Sequence, residues 1–277
     1  AAIGPLADDG ARIALEQTPL TFDEVAQVEE TVPHTELVEA APICSELRML
    51  KTDEEIRRLR RSVEINEASI ESAVAEVEPG MTETDLARIY HSELVARDAK
   101  PLFTVIGFGS HGAYPHARPG DRQLEPGDTV RFDVGCTFEN YSSDIARTYA
   151  FREVDDELAS MYEVLSGSLD RCVEIIEPGV TADEVFRETV DYVRGTGEGL
   201  FDSFDRNHVG HGIGIDVYDA PTLAESADPI ESGMVFCLEP PYYELGTAGL
   251  QVEDEVVIRE EGVERLSECS AQLQVLD

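Results

Sequence analysis

The chain has 277 residues, 42% of them hydrophobic, and carries 58 acidic residues against 21 basic ones for a formal net charge of −37. That length can hold one large domain plus part of another, and the charge excludes nucleic acid and anionic membrane surfaces, which would repel it. The acids are spread over the whole chain, and only Lys51 and Lys100 are lysines. Such a surface is tolerable where salt screens it strongly, which points to a halophilic source. No apolar run reads as a membrane span and no segment as a signal peptide. The five cysteines (Cys44, Cys136, Cys172, Cys237 and Cys269) are odd in number and form no Cys-x-x-Cys pair. They read as reduced thiols in a cytoplasmic protein.

Residues 1–46 look separate from the rest, rich in small and acidic residues with a short helical pattern near Thr21–Glu30. They are too few to bury a good core alone, and are expected to be the last part of a larger N-terminal domain whose beginning is absent. Residues 47–277 form the second domain. Thr52-Asp53-Glu54-Glu55 is a capping box, opening a long helix with apolar positions at Ile56, Leu59, Val63, Ile70, Val74 and Val77 and a stop at Pro79-Gly80. A second cap at Thr82–Asp85 opens a helix to about Ala96. Strand-like runs follow at 102–108, 129–138 and 143–151. A long helix is expected over Asp155–Glu177 and a shorter one over Thr181–Val193, then strands at 209–217, 234–239, 250–258 and 271–276. Helix-helix-strands twice over predicts an α+β fold, with helices outside a curved, mostly antiparallel sheet.

The sequence also repeats itself. Glu78-Pro79-Gly80-Met81-Thr82 recurs as Glu177-Pro178-Gly179-Val180-Thr181, 99 residues later. Glu125–Asp133 lines up with Glu231–Glu239 at an offset of 106, which makes Asp133 and Glu239 equivalent positions. A second acid follows each, Asp144 after 11 residues and Glu253 after 14. Two half-domains, each giving two inward carboxylates, would meet around a pseudo-twofold axis, with His211 from the second half alone. Each of the five lies in a short apolar or Gly-rich run, where an isolated ionised carboxylate is costly. The cluster therefore calls for two divalent cations near the axis. Read singly, each acid in so acidic a chain is a solvated surface charge; the spacing argues otherwise. Cys136 and Cys237 flank these positions and read as small core fillers.

The segments FDVGC (132–136), SSDIART (142–148), GHGIG (210–214), CLEPP (237–241) and QVEDE (251–255) resemble those of the pita-bread metallopeptidases, the family of methionine aminopeptidase, aminopeptidase P and prolidase and of the related hydrolase creatinase. The ligand order Asp, Asp, His, Glu, Glu matches, and the 14-residue gap from Glu239 to Glu253 resembles the prolidase and aminopeptidase P branch. Leu47–Thr52 resembles the junction after that branch's creatinase-like N-terminal domain. With the composition, the resemblance suggests a haloarchaeal member.

The resemblance implies the pita-bread fold, a homodimer, a short peptide substrate and two divalent metals. The oxygen-rich ligand set favours Mn, with Co, Fe or Zn as alternatives. Two ions ~3.5 Å apart would bridge a hydroxide that attacks the scissile carbonyl, with Glu239 carrying the proton to the leaving amine. His116, in Tyr114-Pro115-His116, matches a family histidine that hydrogen-bonds substrate. His208 stands three residues before His211, where the family's substrate-facing histidine usually stands four before; that place is Asn207. Tyr218 replaces a family histidine in Asp216-Val217-Tyr218-Asp219, and Gln251 replaces an arginine two residues before the last glutamate. Tyr218 can donate a hydrogen bond but carries no positive charge near neutrality. The expected activity is an Xaa-Pro aminopeptidase- or dipeptidase-like exopeptidase. The alternatives are an amide hydrolase for a small creatine- or compatible-solute-like substrate, or a silent binding module, against which the intact ligand set argues.

Overall fold

The computed structural model describes residues 8, 10–16, 20–201 and 204–277. Of the segment 1–46, residues 1–7, 9 and 17–19 lie outside the described residues. The chain divides into two compact units, one ending at Arg48 and one beginning at Met49.

In the first unit, β1 (Arg12–Leu15) pairs in parallel with β2 (Glu36–Glu39). Between them runs α1 (Phe22–Thr31), opened by a capping box in which Thr21 and Glu24 satisfy each other's backbone N–H. Helix α2 (Ala41–Met49) follows.

The second unit is built twice. Its first half has α3 (Asp53–Ala75), α4 (Glu83–Ala96), β3 (Lys100–Phe108), β4 (Thr129–Phe138) and β5 (Tyr141–Phe151). Its second half has α5 (Asp156–Ile175), α6 (Ala182–Thr196), β6 (Gly210–Gly212), β7 (Asp219–Thr222), β8 (Val235–Leu238), β9 (Tyr242–Glu244), β10 (Ala248–Leu250), β11 (Asp254–Arg259), β12 (Gly262–Arg265) and β13 (Gln274–Leu276). Thr52, Thr82 and Thr181 each close a capping box at the start of α3, α4 and α6, and Asp155 caps α5. Apolar faces turn inward: Leu59, Val63 and Ile70 of α3 join Phe132 and Ile145 in one core, while Leu165 and Leu169 of α5 join Val185, Phe236 and Val256 in another.

The sequence repeat survives in three dimensions, turn for turn. Gly80 N–H donates to the Leu124 carbonyl, and Gly179 N–H to that of Ile230; Glu83 N–H reaches Arg122, and Ala182 N–H reaches Asp228. Gly80, Gly179, Gly127 and Gly233 all have positive φ, the left-handed conformation that glycine adopts without steric cost.

Two larger sheets result, ordered β13-β5-β4-β3 and β12-β11-β8-β6-β7, beside the two-stranded β10-β9. All neighbours are antiparallel except β13 and β5, which run in parallel. The sheets meet where Ala146 of β5 bridges Glu253, whose N–H donates to the Ala146 carbonyl at 3.0 Å. The expected strand over 209–217 is broken: after Gly212 the chain bends and re-pairs as β7, because Gly212 packs against the Asp219 and Ala220 carbonyls. The expected strand over 250–258 begins at Asp254; Gln251 and Val252 leave the ladder. The long helix ends at Ala75, short of Pro79-Gly80.

Candidate metal centre

The strand register carries the carboxylates to one place. Asp133 on β4 pairs with Ala146, and Asp144 on β5 pairs with Gly135, so the two acids lie diagonally on one face. On the other sheet Asp254 pairs with Leu238; continued by one residue, that register sets Glu253 opposite Glu239. His211 on β6 pairs with Cys237, diagonal to Glu239. The Ala146–Glu253 bridge then brings the two sets together across the seam.

At that seam His211 Nε2 lies 3.4 Å from Glu239 Oε1 and 3.8 Å from Asp144 Oδ2. Its Nδ1 donates to the Gly212 carbonyl at 3.0 Å, which leaves the Nε2 lone pair facing the acids. Asp144, His211, Glu239 and Glu253 are all buried, and Asp133 is half-buried. Asp144 Oδ1, His211 Nε2, Glu239 Oε1 and Glu253 Oε1 are buried with no hydrogen-bond partner. With the carboxyls ionised these atoms only accept, so cations or donors alone can satisfy them. The residues present therefore fit divalent metal ions.

The electrostatics say the same. Burial and then Asp133 push the Glu239 carboxyl up to about 8. Burial, reinforced by the neighbouring carboxylates, raises Asp144 and Glu253 well above the usual range. Burial also raises Asp133, opposed by Arg131, Gln251 and His116. Burial lowers His211 to about 4, keeping the imidazole neutral. Cys237 lies within 4.8 Å of Asp144, His211 and Glu253 in ligand-atom distance. Burial raises its thiol well above the ordinary value, followed by four carboxylates.

The cluster opens into a cleft of about 860 Å3 whose lining includes Asp133, Asp144, Glu239, His116, His208 and Tyr218. His208 Nδ1 stands 3.6 Å from Glu239 Oε1. The Tyr218 ring lies 4.1 Å from that of His211. Gln251, expected at the substrate, is not among the cleft's lining residues: it is buried behind Asp133, where its amide lowers that carboxyl, and its Oε1 accepts from Arg131 at 3.2 Å and Tyr243 at 3.1 Å.

Three residues that the sequence reading passed over hold this arrangement. Arg131, fully buried, donates from Nη2 to the carbonyls of Tyr114 and Pro115 at 3.1 and 3.0 Å, and so fixes the turn carrying His116. Glu83, also buried, accepts from the N–H groups of Phe108 and Gly120 and from His111 Nδ1, clasping both ends of that loop. Arg147 donates to the carbonyls of Ala146 at 2.8 Å and Glu253 at 2.6 Å and to Asp254 Oδ1 at 2.6 Å, pinning the seam. The available signal was position: Arg131 stands two residues before Asp133, and Arg147 three after Asp144, on the strands that carry those acids.

Comparison with known proteins agrees with this geometry. The model of metallopeptidase family M24 matches residues 57–260. The uncharacterized peptidase YqhT of Bacillus subtilis is 30% identical over 268 residues, covering 96% of this chain and 75% of that protein. The Xaa-Pro dipeptidase of Pyrococcus furiosus is 29% identical over 257 residues, covering 92% and 73%. Among solved structures, an X-Pro aminopeptidase from Thermotoga maritima superposes with a TM-score of 0.90 at 26% identity, covering 99% of this chain and 76% of that one. The chain belongs to metallopeptidase family M24. It has the pita-bread fold and is a metal-dependent exopeptidase acting on peptides.

Proposed function

We propose that Asp133, Asp144, His211, Glu239 and Glu253 hold two divalent ions, Mn in preference to Co, Fe or Zn, and that the enzyme removes an N-terminal residue ahead of proline. The observation that carries the reading is the set of four buried acceptor atoms without partners, converging from both halves of the fold. When bound, the ions supply Lewis acidity and lower the pKa of water. The chain's own residues do the rest. Glu239, accessible from the cleft, takes the proton of the attacking water on a carboxylate oxygen and passes it to the leaving amine. His208 stands where it can hydrogen-bond that carboxylate, and His116, held on its turn by Arg131, meets the substrate backbone. Tyr218 contributes a hydroxyl at the cleft wall in place of an imidazole. Gln251 acts behind Asp133, orienting it, rather than on substrate.

The first unit is proposed as part of a creatinase-like N-terminal domain, since the boundary between the units falls at Arg48–Met49, two residues from the junction expected from sequence. We read the enzyme as a halophilic, cytoplasmic homodimer. The charge of −37 supports the salt requirement, and five cysteines without a disulfide support the compartment. No described helix is long and apolar enough to cross a membrane. The test is hydrolysis of Xaa-Pro dipeptides and Xaa-Pro-Yaa tripeptides in multimolar KCl with added Mn, alongside Glu239→Ala. Turnover that vanishes in the variant supports the reading. Two bound metals with no turnover on any Xaa-Pro peptide refute it and favour a small-amide hydrolase.

A further inference from the structure

Only two of the 21 basic residues are lysines; Lys100 is exposed, and Lys51 is buried inside the fold. Lys51 stands just before Thr52, the cap of α3, and its side chain is 2% exposed. Its backbone N–H donates to the Gly233 carbonyl at 2.9 Å, in the turn before β8. Its ammonium lies 3.9 Å from Oδ2 of Asp219, the first residue of β7, whose side chain is 8% exposed. Two buried charges cost desolvation that their attraction only partly offsets, so the pair is a weak stability device. What it fixes is geometry. A Cβ at Gly214 would stand 2.5 Å from Asp219 Oδ2 and 3.3 Å from Lys51 Cε, so the pair fills the space that a side chain there would need. A compact ammonium on a slender stem suits this gap better than a planar guanidinium.

Between Gly212 and β7 the chain runs through residues 213–218 without helix or strand. This stretch carries Val217 and Tyr218 to the cleft wall. Tyr218 is 65% exposed, so burial does little to hold it, yet its ring is set 4.1 Å from that of His211. The first part of the stretch is held by hydrogen bonds to its backbone. Ile213 N–H donates to the Val235 carbonyl. Ser142, two residues before Asp144, donates from its N–H to the Gly214 carbonyl at 2.8 Å and from Oγ to that of Ile215 at 3.0 Å. The other end is Asp219, the immediate neighbour of Tyr218. Lys51 therefore grips the residue from which Tyr218 hangs, and does so from a segment that supplies none of the five candidate ligands.

We propose that the Lys51–Asp219 ion pair is a positioning device for Tyr218: it sets where the phenol hydroxyl stands against the substrate and leaves the metal ions untouched. The proposal rests on the peptidase reading above, and adds to it a lysine that is not among the cleft's lining residues. Without the pair the end of the stretch is released, and the hydroxyl samples several places instead of one. The consequence is that of a functional group misplaced by a change outside the site.

The test uses the full chain loaded with Mn in multimolar KCl. Lys51→Met alone would strand a buried carboxylate, so both charges are removed together as Lys51→Met/Asp219→Asn. Kinetics on Ala-Pro and Ala-Pro-Ala are measured for wild type, that variant, Tyr218→Phe and the combination of all three changes, with metal content and melting temperature for each. The expected result is two metals per chain throughout. Removing the pair and Tyr218→Phe each lower kcat/KM ~10-fold, the effect of one hydrogen bond, and the combined variant loses no more than either. A second readout needs no turnover. The chain has no tryptophan, so Tyr218→Trp places a single indole on the stretch, and its fluorescence anisotropy should fall when the pair is removed. Five results each overturn the proposal and leave the peptidase reading standing: wild-type rates without the pair, losses that multiply in the combined variant, loss of metal, Tyr218→Phe indistinguishable from wild type, or an anisotropy that does not move. Failure of wild type to cleave either peptide with metals bound counts against the peptidase reading instead, and the anisotropy then decides the positioning by itself.

Discussion

Replacing Glu239 with glutamine is expected to stabilise the metal-free protein while removing its activity. The reason is the crowding of carboxylates at the seam. Outside the fold a glutamate titrates near 4.5; in the metal-free fold burial and Asp133 push Glu239 up to about 8. Between those two values the folded chain holds a proton that the unfolded chain has released. Stability therefore falls as pH rises through this window and is level above it. At pH 7 the cost is on the order of 3 kcal/mol. Glutamine keeps the shape and carries no charge, so the chelated Glu239→Gln variant should melt roughly 6–12 °C above chelated wild type at pH 7, given about 2–4 °C per kcal/mol for a domain of this size. The gap should close as pH falls toward 4.5. Added Mn should reverse the order, because an ion that binds only the folded state stabilises in proportion to its saturation, and the variant has lost a ligand. Scanning calorimetry with and without chelator at pH 5 and pH 7 reads all four states. A chelated variant that melts below wild type, or a gap indifferent to pH, refutes the account of an electrostatically strained site.

Arg131→Met should leave both metals bound, yet lower kcat/KM on the order of 10- to 100-fold, because the Tyr114 and Pro115 carbonyls lose their donor and the His116 turn shifts; metal analysis beside steady-state kinetics checks it. Asp254→Asn removes the carboxylate facing buried Arg147, and a destabilisation of about 3–5 kcal/mol is expected by denaturant titration. In Gly249→Ala the new Cβ would stand 1.9 Å from the Gly112 carbonyl oxygen. The backbones must part, at a cost of about 1–3 kcal/mol, and thermal melting should show it. Cys237→Ala should retain two metals per chain and most of the activity; loss of one metal would make the thiol a ligand.

Much of this was legible in the sequence because it is written twice. Glycines at 80, 127, 179 and 233 mark turns that only a left-handed residue closes easily, and the acids stand at fixed distances from them. Four helices of the second unit were readable from their caps and apolar periods. The hairpin β9–β10, anchored by Tyr243 and turning at Gly246, was not read, although Glu244-Leu245-Gly246 between short apolar runs signals a turn. The fate of Gln251 was equally hidden. A residue two before a ligand on a regular strand shares its face, but here the chain leaves the ladder before Asp254, and Gln251 ends up behind Asp133. The roles of Arg131 and Arg147 were hidden for a different reason: beyond their place beside the acids, their partners are backbone carbonyls and residues more than 100 positions away, which no local pattern encodes.

Arg147 sits on a strand of one half and grips the carbonyl beside Glu253 in the other. The centre is therefore a seam, and the core beneath it is shared: Ile213, Val235 and Val257 of the second half pack with Leu59, Phe132 and Ile145 of the first. Loosening that seam should cost the cleft its chemistry and the shared core its packing together. Catalytic competence then becomes a gauge of how the halves are docked, lost in step with the circular dichroism of the chain as that shared core opens.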